Sequence, residues 1–361
     1  MKLTFLGDIF PADESFCVGF GIHSQFQQHW GGEWKSNLLN FTRGSEYVIG
    51  NIESPLISTS MAISDIFYGH PQFAAFLKDC GVNVLNVANN HIMEHGTNGY
   101  EETLQTLKNK DIKVIGHNDE ILYLREQDCC IAIAGFCAPN LLEHSFDNTL
   151  SILSKENVLS SLDAMHAHNI NVKIFCFHWG NEYIHKPSMQ QREFAYELID
   201  AGADVIIGHH PHVIQPYEQY NNGHIFYSLG NFCFNNPYES KHYSRGMAVT
   251  VDIDIDKKQI SDIAFSGVRL RQYKLVEKID ATIFNAYFSK IQNWYRASKI
   301  KENYEEQYKK EQKWRRFIER ILMKTSMIIL FFSIRAKDKV MLIKNVFHIF
   351  LSKTTNKNDL N

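Results

Sequence analysis

Short runs of apolar and β-branched residues recur along the first two thirds of the chain and predict β-strands. The predicted strands are residues 3–6, 47–52, 82–87, 112–115, 131–136, 172–177, 205–207 and 225–227. Between several of these runs, apolar residues recur at helical spacing, which predicts helices at residues 73–78, 101–109, 158–168 and 190–200. Continuous apolar strands that alternate with helices are typical of an α/β protein whose sheets are covered on both faces.

The hydrophobic pattern changes towards the end of the chain. Residues 247–255 and 260–269 predict the two strands of a β-hairpin. Beyond about residue 273 the apolar residues follow a helical period, as the following positions show: Ile279, Ile283, Tyr287, Ile291, Trp294, and later Val340, Ile343, Phe347 and Phe350. The sequence therefore predicts an α/β domain at residues 1–272 and a helical extension at residues 273–361.

Charge is distributed unevenly, although the formal net charge is only −3. From Lys309 to the end there are 13 Lys and Arg residues, including Lys357, and only 4 Asp and Glu residues, including Asp359. A basic helix with an apolar face suits the surface of an anionic membrane, so peripheral membrane contact through these helices is one prediction. The alternative is that the helices pack on the core or on another subunit.

The cysteines bear on the cellular compartment. The chain has 7 cysteines, an odd number without a C-x-x-C pair, and most lie in apolar runs. This pattern favours buried, reduced thiols in a reducing compartment. The first residues do not resemble a signal peptide, and the apolar run at 327–332 is far shorter than the roughly 20 residues that span a bilayer. We expect a cytoplasmic protein, with peripheral contact at the inner membrane face as the alternative in which the basic helices lie on the membrane.

Metal-ligand residue types follow several of the predicted strands. They are Asp8, Glu53, Asn90, His178, His210 and His212. In α/β sheets, ligands gather beyond the carboxyl ends of strands, so residues far apart in sequence can converge there. Taken singly, Asp8 could cap a turn, Asn90 could belong to a turn and His178 could be an ordinary core histidine. Their shared position at strand ends favours one common site.

The donor set indicates the metal chemistry. Carboxylates, an amide oxygen and imidazoles without sulfur suit Mn, with Fe or Zn as alternatives, better than Mg or Ca. Glu53 can bridge two divalent cations and reduce their mutual repulsion. Two such cations, about 3.5–4 Å apart, bind phosphate oxygens and activate a water molecule for in-line attack. His91, next to Asn90, is placed to protonate the leaving oxygen.

Five blocks of sequence resemble the signatures of the CapA family. They are Gly50-Asn51-Ile52-Glu53-Ser54-Pro55-Leu56, Ala88-Asn89-Asn90-His91, His178-Trp179-Gly180-Asn181-Glu182, Gly208-His209-His210-Pro211-His212 and Tyr227-Ser228-Leu229-Gly230-Asn231-Phe232. The resemblance covers about residues 1–270 and leaves out the helical extension. It implies a role in bacterial capsule or poly-γ-glutamate synthesis. It also implies a calcineurin-like metallophosphoesterase fold, a sandwich of two mixed sheets flanked by helices.

The resemblance also implies roles for individual residues. One cation would be held by Asp8, Glu53 and His212, and the other by Glu53, Asn90, His178 and His210, with His91 as the general acid. Glu182 and Asn231 would support the ligands or face the substrate, although Glu182 could instead be a solvated loop charge. Many relatives place a metal-binding histidine two residues after the first aspartate, where this chain has Phe10.

The sequence thus predicts a dinuclear metal-dependent hydrolase that acts on a phosphoester during capsule, poly-γ-glutamate or exopolysaccharide biosynthesis. Phe10 motivates a second hypothesis, in which a non-catalytic accessory protein binds the anionic polymer or its synthase or export partner. A third is hydrolase or ligase-like chemistry on the amide bonds of poly-γ-glutamate, with metals polarising the carbonyl. No nucleic-acid partner is expected.

Overall fold

The computed structural model describes residues 1–29, 32–142, 149–234, 244–271, 274–300 and 303–355. In these residues the strands, in chain order, are β1 Lys2–Ile9, β2 Tyr47–Ile52, β3 Val84–Asn86, β4 Lys113–Ile115, β5 Leu122–Glu126, β6 Cys129–Cys137, β7 Val172–His178, β8 Val205–His209, β9 Tyr217–Tyr220, β10 Gly223–Phe226, β11 Asn231–Cys233, β12 Arg245–Asp254, β13 Gln259–Arg271 and β14 Leu275–Lys278. The helices are α1 Ile22–His29, α2 Glu33–Thr42, α3 Gln72–Asp79, α4 Gly96–Lys108, α5 Lys155–Ala167, α6 Met189–Asp200, α7 Ala281–Lys299, α8 Tyr304–Ser333 and α9 Ala336–Thr355.

The strands form two mixed sheets. The first has the order β14-β13-β12-β1-β2-β3-β4, with β11 beside β1. In it β1, β2, β3 and β4 run parallel, whereas β12 is antiparallel to β1. The second sheet has the order β5-β6-β7-β8-β10-β9, and β6, β7, β8 and β10 are its parallel strands. Each sheet therefore has a parallel centre, whose carboxyl ends lie at one edge.

Three apolar layers hold the sandwich together. Between the sheets, Phe5 and Ile49 of the first pack in one buried cluster with Ile174 and Ile207 of the second. Helices α2, α3 and α4 cover the outer face of the first sheet. Helices α5 and α6 cover the outer face of the second. Both sheets are covered on both faces, so the predicted sandwich of mixed sheets flanked by helices is confirmed.

The predicted strands and the hairpin are all present, and β12 pairs with β13 as predicted. The hydrophobic pattern does not predict strands β5, β9, β11 and β14 or helices α1 and α2. The missed β5 is mostly exposed at a sheet edge, so it lacks the apolar run that marks the central strands. The missed β11 has three residues only, too few to show a period. All seven cysteines are buried, as predicted.

The helical extension begins later than the predicted boundary. Strand β14 pairs with β13, so the first sheet continues to Lys278, and α7 begins at Ala281. Residues 272 and 273, where the chain was divided, lie outside the described residues, and the division into two domains stays a prediction. Within the described ranges, no helix is both long and apolar enough to cross a membrane.

The extension packs on the α/β core. Phe284, Phe288 and Ile291 of α7 belong to the buried cluster between the sheets. Leu342 of α9 packs with Cys17 and Phe20. This agrees with the alternative of packing on the core, although large apolar side chains of α8 and α9 remain exposed. Lys357 and Asp359, part of the charge count of the basic tail, lie outside the described residues.

Candidate metal centre

The carboxyl ends of parallel strands from both sheets meet at the candidate site. Asp8 lies in β1 opposite Asn51 of β2, and His178 ends β7 opposite His209, the last residue of β8. Glu53 follows β2, and Asn90 follows β3. Each sheet contributes part of the donor set, because the sandwich brings the two parallel edges together.

Close backbone approach requires glycine beside the site residues. A Cβ atom on Gly7 would lie 2.0 Å from the carbonyl oxygen of Gly230, and one on Gly208 would lie 1.9 Å from that of Tyr227. Such distances are shorter than any real contact, so neither position tolerates a side chain. The Asp8 amide donates to the Gly230 carbonyl at 3.0 Å, which places β11 beside Asp8.

Asp8, Glu53 and His212 form the first group of ligand atoms, all within 4.8 Å of one another. Nδ1 of His212 lies 3.6 Å from Oδ2 of Asp8, and Nε2 of His212 lies 3.7 Å from Oε1 of Glu53. All three residues are buried. These distances leave room for one cation among three protein ligands, with further coordination positions open.

Glu53, His178 and His210 form a second group, also within 4.8 Å. Nε2 of His178 lies 3.5 Å from Oε1 of Glu53 and 2.7 Å from Oδ1 of Asn90. His210 has φ 93°, a conformation that residues other than glycine rarely adopt and that the surroundings must hold. Glu53 belongs to both groups, so the structure brings together all six residues predicted as ligands.

Unpartnered polar atoms test whether a cation fits this site. Among the described residues, neither carboxylate oxygen of Glu53 has a hydrogen-bond partner, and Nδ1 of His210 has none. Burying such atoms without a partner costs on the order of 1–3 kcal/mol each, and more for a charged group. A divalent cation bound between Glu53 and the histidines would remove this cost, so the residues present fit a divalent cation.

The two buried carboxyls have opposite pKa shifts. Burial raises the pKa of Glu53 well above its ordinary value, and the nearby charges of Asp8, Glu182 and Glu14 add to the rise. Burial also acts to raise the pKa of Asp8, but the hydrogen bond and charge of His209, together with His212 and Asn51, outweigh it and lower that pKa. The site therefore disfavours a second negative charge unless positive charge is supplied.

Two of the histidines predicted as ligands, His178 and His210, are held neutral. Burial, and then the neighbouring imidazoles, lower the pKa of His178 well below its ordinary value. Burial, and then the charge of His212, lower the pKa of His210 to about 3, although the charge of Asp8 acts in the opposite direction. A histidine must be unprotonated to bind a metal, so both rings are in the correct form near neutral pH.

His91 lies at the edge of the site and is partly exposed. Its Nδ1 is 2.7 Å from Oε1 of Glu94, and its ring stacks on Phe67 at a centroid distance of 5.0 Å and an interplanar angle of 6°. These contacts fix the ring plane. Phe10 packs edge-on against His91 at 6.0 Å and stacks on Phe234 at 4.7 Å, so it is part of the site wall.

The two predicted supporting residues lie next to the ligands. Nδ1 of His212 donates to Oδ1 of Asn231 at 2.9 Å, the kind of contact that orients a metal-binding imidazole. A carboxylate oxygen of Glu182 lies within 4.8 Å of nitrogen atoms of His210 and His212. Glu182 is exposed, whereas the other members of this group are buried.

Sequence reasoning missed a polar network behind the ligands. Nδ2 of Asn51 donates to Oδ1 of Asp8 at 2.9 Å and lies 3.3 Å from Nδ1 of His178. His209 contacts Asp8, and Nδ2 of Asn89 donates to the Ile52 carbonyl at 2.8 Å. All three residues stand inside the signature blocks: Asn51 two residues before Glu53, and Asn89 and His209 directly before the predicted ligands Asn90 and His210. That adjacency was the available signal.

The fold, the strand-end ligands and the sequence all point to one class of protein. The chain matches the family described as bacterial capsule synthesis protein PGA_cap over residues 2–236, and it belongs to that family. It is 32% identical over 215 residues to the "Capsule biosynthesis protein CapA" of Bacillus anthracis, covering 54% of this chain and 52% of that protein. It is 34% identical over 208 residues to the "PGA biosynthesis protein CapA" of Bacillus subtilis (strain 168), covering 54% of each.

The chain thus spans about half the length of the curated relatives it matches. Among solved structures it is similar to a novel phosphatase from Mycoplasma pneumoniae, at 14% identity and a TM-score of 0.48, covering 79% of this chain and 96% of that one.

Proposed function

We propose that this chain is a metal-dependent phosphoester hydrolase that acts in the synthesis of a capsule or another anionic surface polymer. The observation that carries the proposal is Glu53, a buried carboxylate that belongs to two adjacent groups of ligand atoms and whose oxygens have no hydrogen-bond partner among the described residues. A carboxylate in this position is suited to bridge two cations. Two-cation centres of this kind serve phosphoryl chemistry.

The ligand roles in this proposal follow the two groups. Asp8, Glu53 and His212 hold one divalent transition metal, and Glu53, Asn90, His178 and His210 hold the other, with Mn as the first candidate and Fe or Zn as alternatives. When bound, the two cations supply positive charge that draws the phosphate oxygens and lowers the pKa of a water nucleophile.

His91 is the proposed proton donor. Its ring is fixed by Phe67 and Glu94, and its partly exposed edge can reach a substrate at the mouth of the site. A donor in this position protonates the oxygen of the leaving group as the P–O bond breaks. Because Nδ1 faces Glu94, Nε2 is the nitrogen that carries the transferred proton.

The family and its relatives suggest the pathway and the class of substrate. The Bacillus relatives carry names that refer to capsule and PGA biosynthesis. We therefore propose that the substrate is a phosphoester formed during the synthesis of poly-γ-glutamate or a capsular polysaccharide, and that the protein associates with the synthesis machinery. The compartment proposed is the cytoplasm, at the inner face of the membrane.

Phe10 supports a second candidate function. Its buried ring packs against His91 and Phe234, so position 10 contributes an apolar wall and no ligand to the first cation. A centre with fewer ligands can bind cations without efficient turnover. In that case the chain is an accessory protein that binds the anionic polymer or a synthase or export partner through the same site.

The basic extension suggests the membrane contact. Trp314 and Phe317 of α8 are 59% and 56% exposed, and Lys310 and Lys313 are exposed close to them on the same helix. Aromatic side chains next to lysines suit the interface of an anionic bilayer, in which the rings enter the headgroup region and the lysines meet the phosphates. We therefore propose that this part of α8 touches the membrane.

The test is metal analysis of purified protein combined with turnover of bis-p-nitrophenyl phosphate after addition of Mn²⁺. The hydrolase proposal predicts about two transition metals per chain and Mn-dependent turnover. His210→Ala should lose metal and activity together, whereas the exposed His168→Ala should retain both. Full activity in His210→Ala would refute the ligand assignment, and folded wild-type protein that binds metal without turnover would favour the accessory role.

A further inference from the structure

The loop after β7 carries Glu182 to the mouth of the site. It turns sharply, because Gly180 has φ 93° and Tyr183 has φ 62°. The backbone amide of Tyr183 donates to the Pro211 carbonyl at 2.8 Å, which ties this loop to the one that carries His210 and His212. The position of Glu182 relative to those two histidines is therefore set by the backbone.

The neighbours of Glu182 belong to different cation groups. His210 belongs to the group that contains His178, and His212 to the group that contains Asp8. A carboxylate oxygen of Glu182 lies within 4.8 Å of nitrogen atoms of both histidines. We propose that Glu182 is a ligand of the cation pair on its solvent side, facing the buried bridge Glu53. This inference rests on the proposed two-cation centre.

The charges of the site are consistent with a third carboxylate ligand. Two divalent cations bring four positive charges, and Asp8 with Glu53 offsets at most two of them. Glu182 offsets one more at the exposed end of the site, where three protein ligands leave positions open at the first cation. His210, which belongs to the same group as Glu182, also has a buried Nδ1 atom without a hydrogen-bond partner among the described residues.

Helix α8 holds the Glu182 loop from outside. Nδ2 of Asn181, next to Glu182, donates to the Tyr308 hydroxyl at 2.6 Å, and Nε2 of Gln312 donates to Oδ1 of Asn181 at 3.0 Å. Further along the loop, the Tyr304 hydroxyl donates to the Pro187 carbonyl at 2.6 Å. The helical extension thus fixes both ends of the loop, so Glu182 needs little reordering to bind a cation.

This inference is tested by measuring the affinity for cations, which does not depend on catalytic activity. The experiment is a calorimetric titration of metal-stripped proteins with MnCl₂. It compares wild type with Glu182→Gln, Glu182→Asp and the control Glu193→Gln. Glu193 is an exposed glutamate on α6. We expect Glu182→Gln to weaken the binding of at least one cation by tenfold or more, an order typical of the loss of a group that supports a metal site. Glu182→Asp should recover part of that affinity, and Glu193→Gln should match wild type.

Tyr308→Phe removes only the hydroxyl that meets Asn181 and should weaken Mn²⁺ binding in the same direction but by less. If wild type binds two Mn²⁺ ions and Glu182→Gln binds both with the same affinities, the inference is overturned and the proposed function remains. A wild-type protein that binds no cation would overturn both. Because Glu182 is exposed, its variants should keep the wild-type circular dichroism spectrum.

Discussion

Nδ1 of His209, the last residue of β8, lies 3.1 Å from Oδ1 of Asp8 in β1. This contact joins the two sheets of the sandwich at the candidate cation site. The other carboxylate oxygen of Asp8 accepts the backbone amide of His210 at 3.2 Å. Asp8 is thus oriented by the opposite sheet, and its pKa is lowered although burial alone would raise it.

Replacing His209 by Ala should weaken cation binding, although His209 is outside the proposed ligand set. Asp8 loses the partner that holds it ionised and oriented, and the loss of such outer contacts typically costs about 10–100-fold in metal affinity. Calorimetric titration with MnCl₂ measures this, with His168→Ala as the control. Unchanged affinity in His209→Ala would show that Asn51 and the His210 amide are sufficient to position Asp8.

Replacing His91 by Ala should reduce turnover while the metal content stays at the wild-type value. A general acid contributes about 10²–10⁴-fold, mainly when the leaving group is a poor one. The loss should therefore be large for a phenyl or alkyl phosphodiester and small for bis-p-nitrophenyl phosphate. An equal loss for both substrates would contradict the assignment of His91 as proton donor.

Glu94→Gln is the companion variant for His91. It keeps the shape of the side chain but removes the charge 2.7 Å from Nδ1 of His91. Without that carboxylate the ring of His91 loses a contact that holds its plane, so turnover of a phenyl phosphodiester should fall while the metal content stays at the wild-type value. Turnover equal to wild type would indicate that Glu94 only supports the loop.

Glu14 should make the metal-free protein less stable at high pH. Burial, with the nearby charges of Glu182 and Asp13, raises the pKa of Glu14 to about 8 from an ordinary 4.5. A raised carboxyl pKa stabilises the folded state below the unfolded pKa, and this stability is lost as pH rises towards the folded pKa. One such group gives a slope of up to about 1.4 kcal/mol per pH unit within that window.

Urea unfolding in EDTA across pH 4.5 to 8 measures this contribution. In Glu14→Gln the free energy of unfolding should fall less steeply with pH, and the variant should be more stable than wild type at the upper end. The exposed Glu193→Gln should follow wild type. Parallel profiles for Glu14→Gln and wild type would mean that the carboxyl of Glu14 is solvated in solution.

The α8 surface should bind anionic vesicles. Wild-type protein should sediment with phosphatidylglycerol vesicles and much less with phosphatidylcholine vesicles, because about 1 kcal/mol is gained per basic residue near an anionic surface. The double variant Trp314→Ala/Phe317→Ala should lose most of this binding, whereas Ile63→Ala, which removes an apolar side chain that is 75% exposed elsewhere, should not. Equal sedimentation of the wild type and the double variant would refute the membrane contact.

The local pattern of apolar residues was sufficient to predict the central strands of the sheets. β6, β7 and β8 are buried on both faces, so their residues form continuous apolar runs that stand out in the sequence. Edge strands such as β5 and β9 are partly exposed and carry no such run. The extent of the first sheet was underestimated for a related reason, because β14 is a four-residue edge strand directly before the helices.

Local sequence pattern was sufficient to identify the residue types of the site and their order. Six residues lie near or just after the carboxyl end of a strand, and such ends can be recognised from local hydrophobicity: Asp8, Glu53, Asn90, His178, His210 and His212. The same local pattern also predicted the α/β class and the change to helices near the end of the chain.

Only the tertiary structure decided which of these residues touch. His209 reaches Asp8, Glu182 reaches His210 and His212, and α8 holds Asn181 through Tyr308, across separations of 201 and 127 residues for the first and last of these pairs. Such contacts depend on the packing of one sheet on the other and of the extension on both. No local pattern encodes them, because sequence periodicity shows which face of an element is buried and says nothing of the element that buries it.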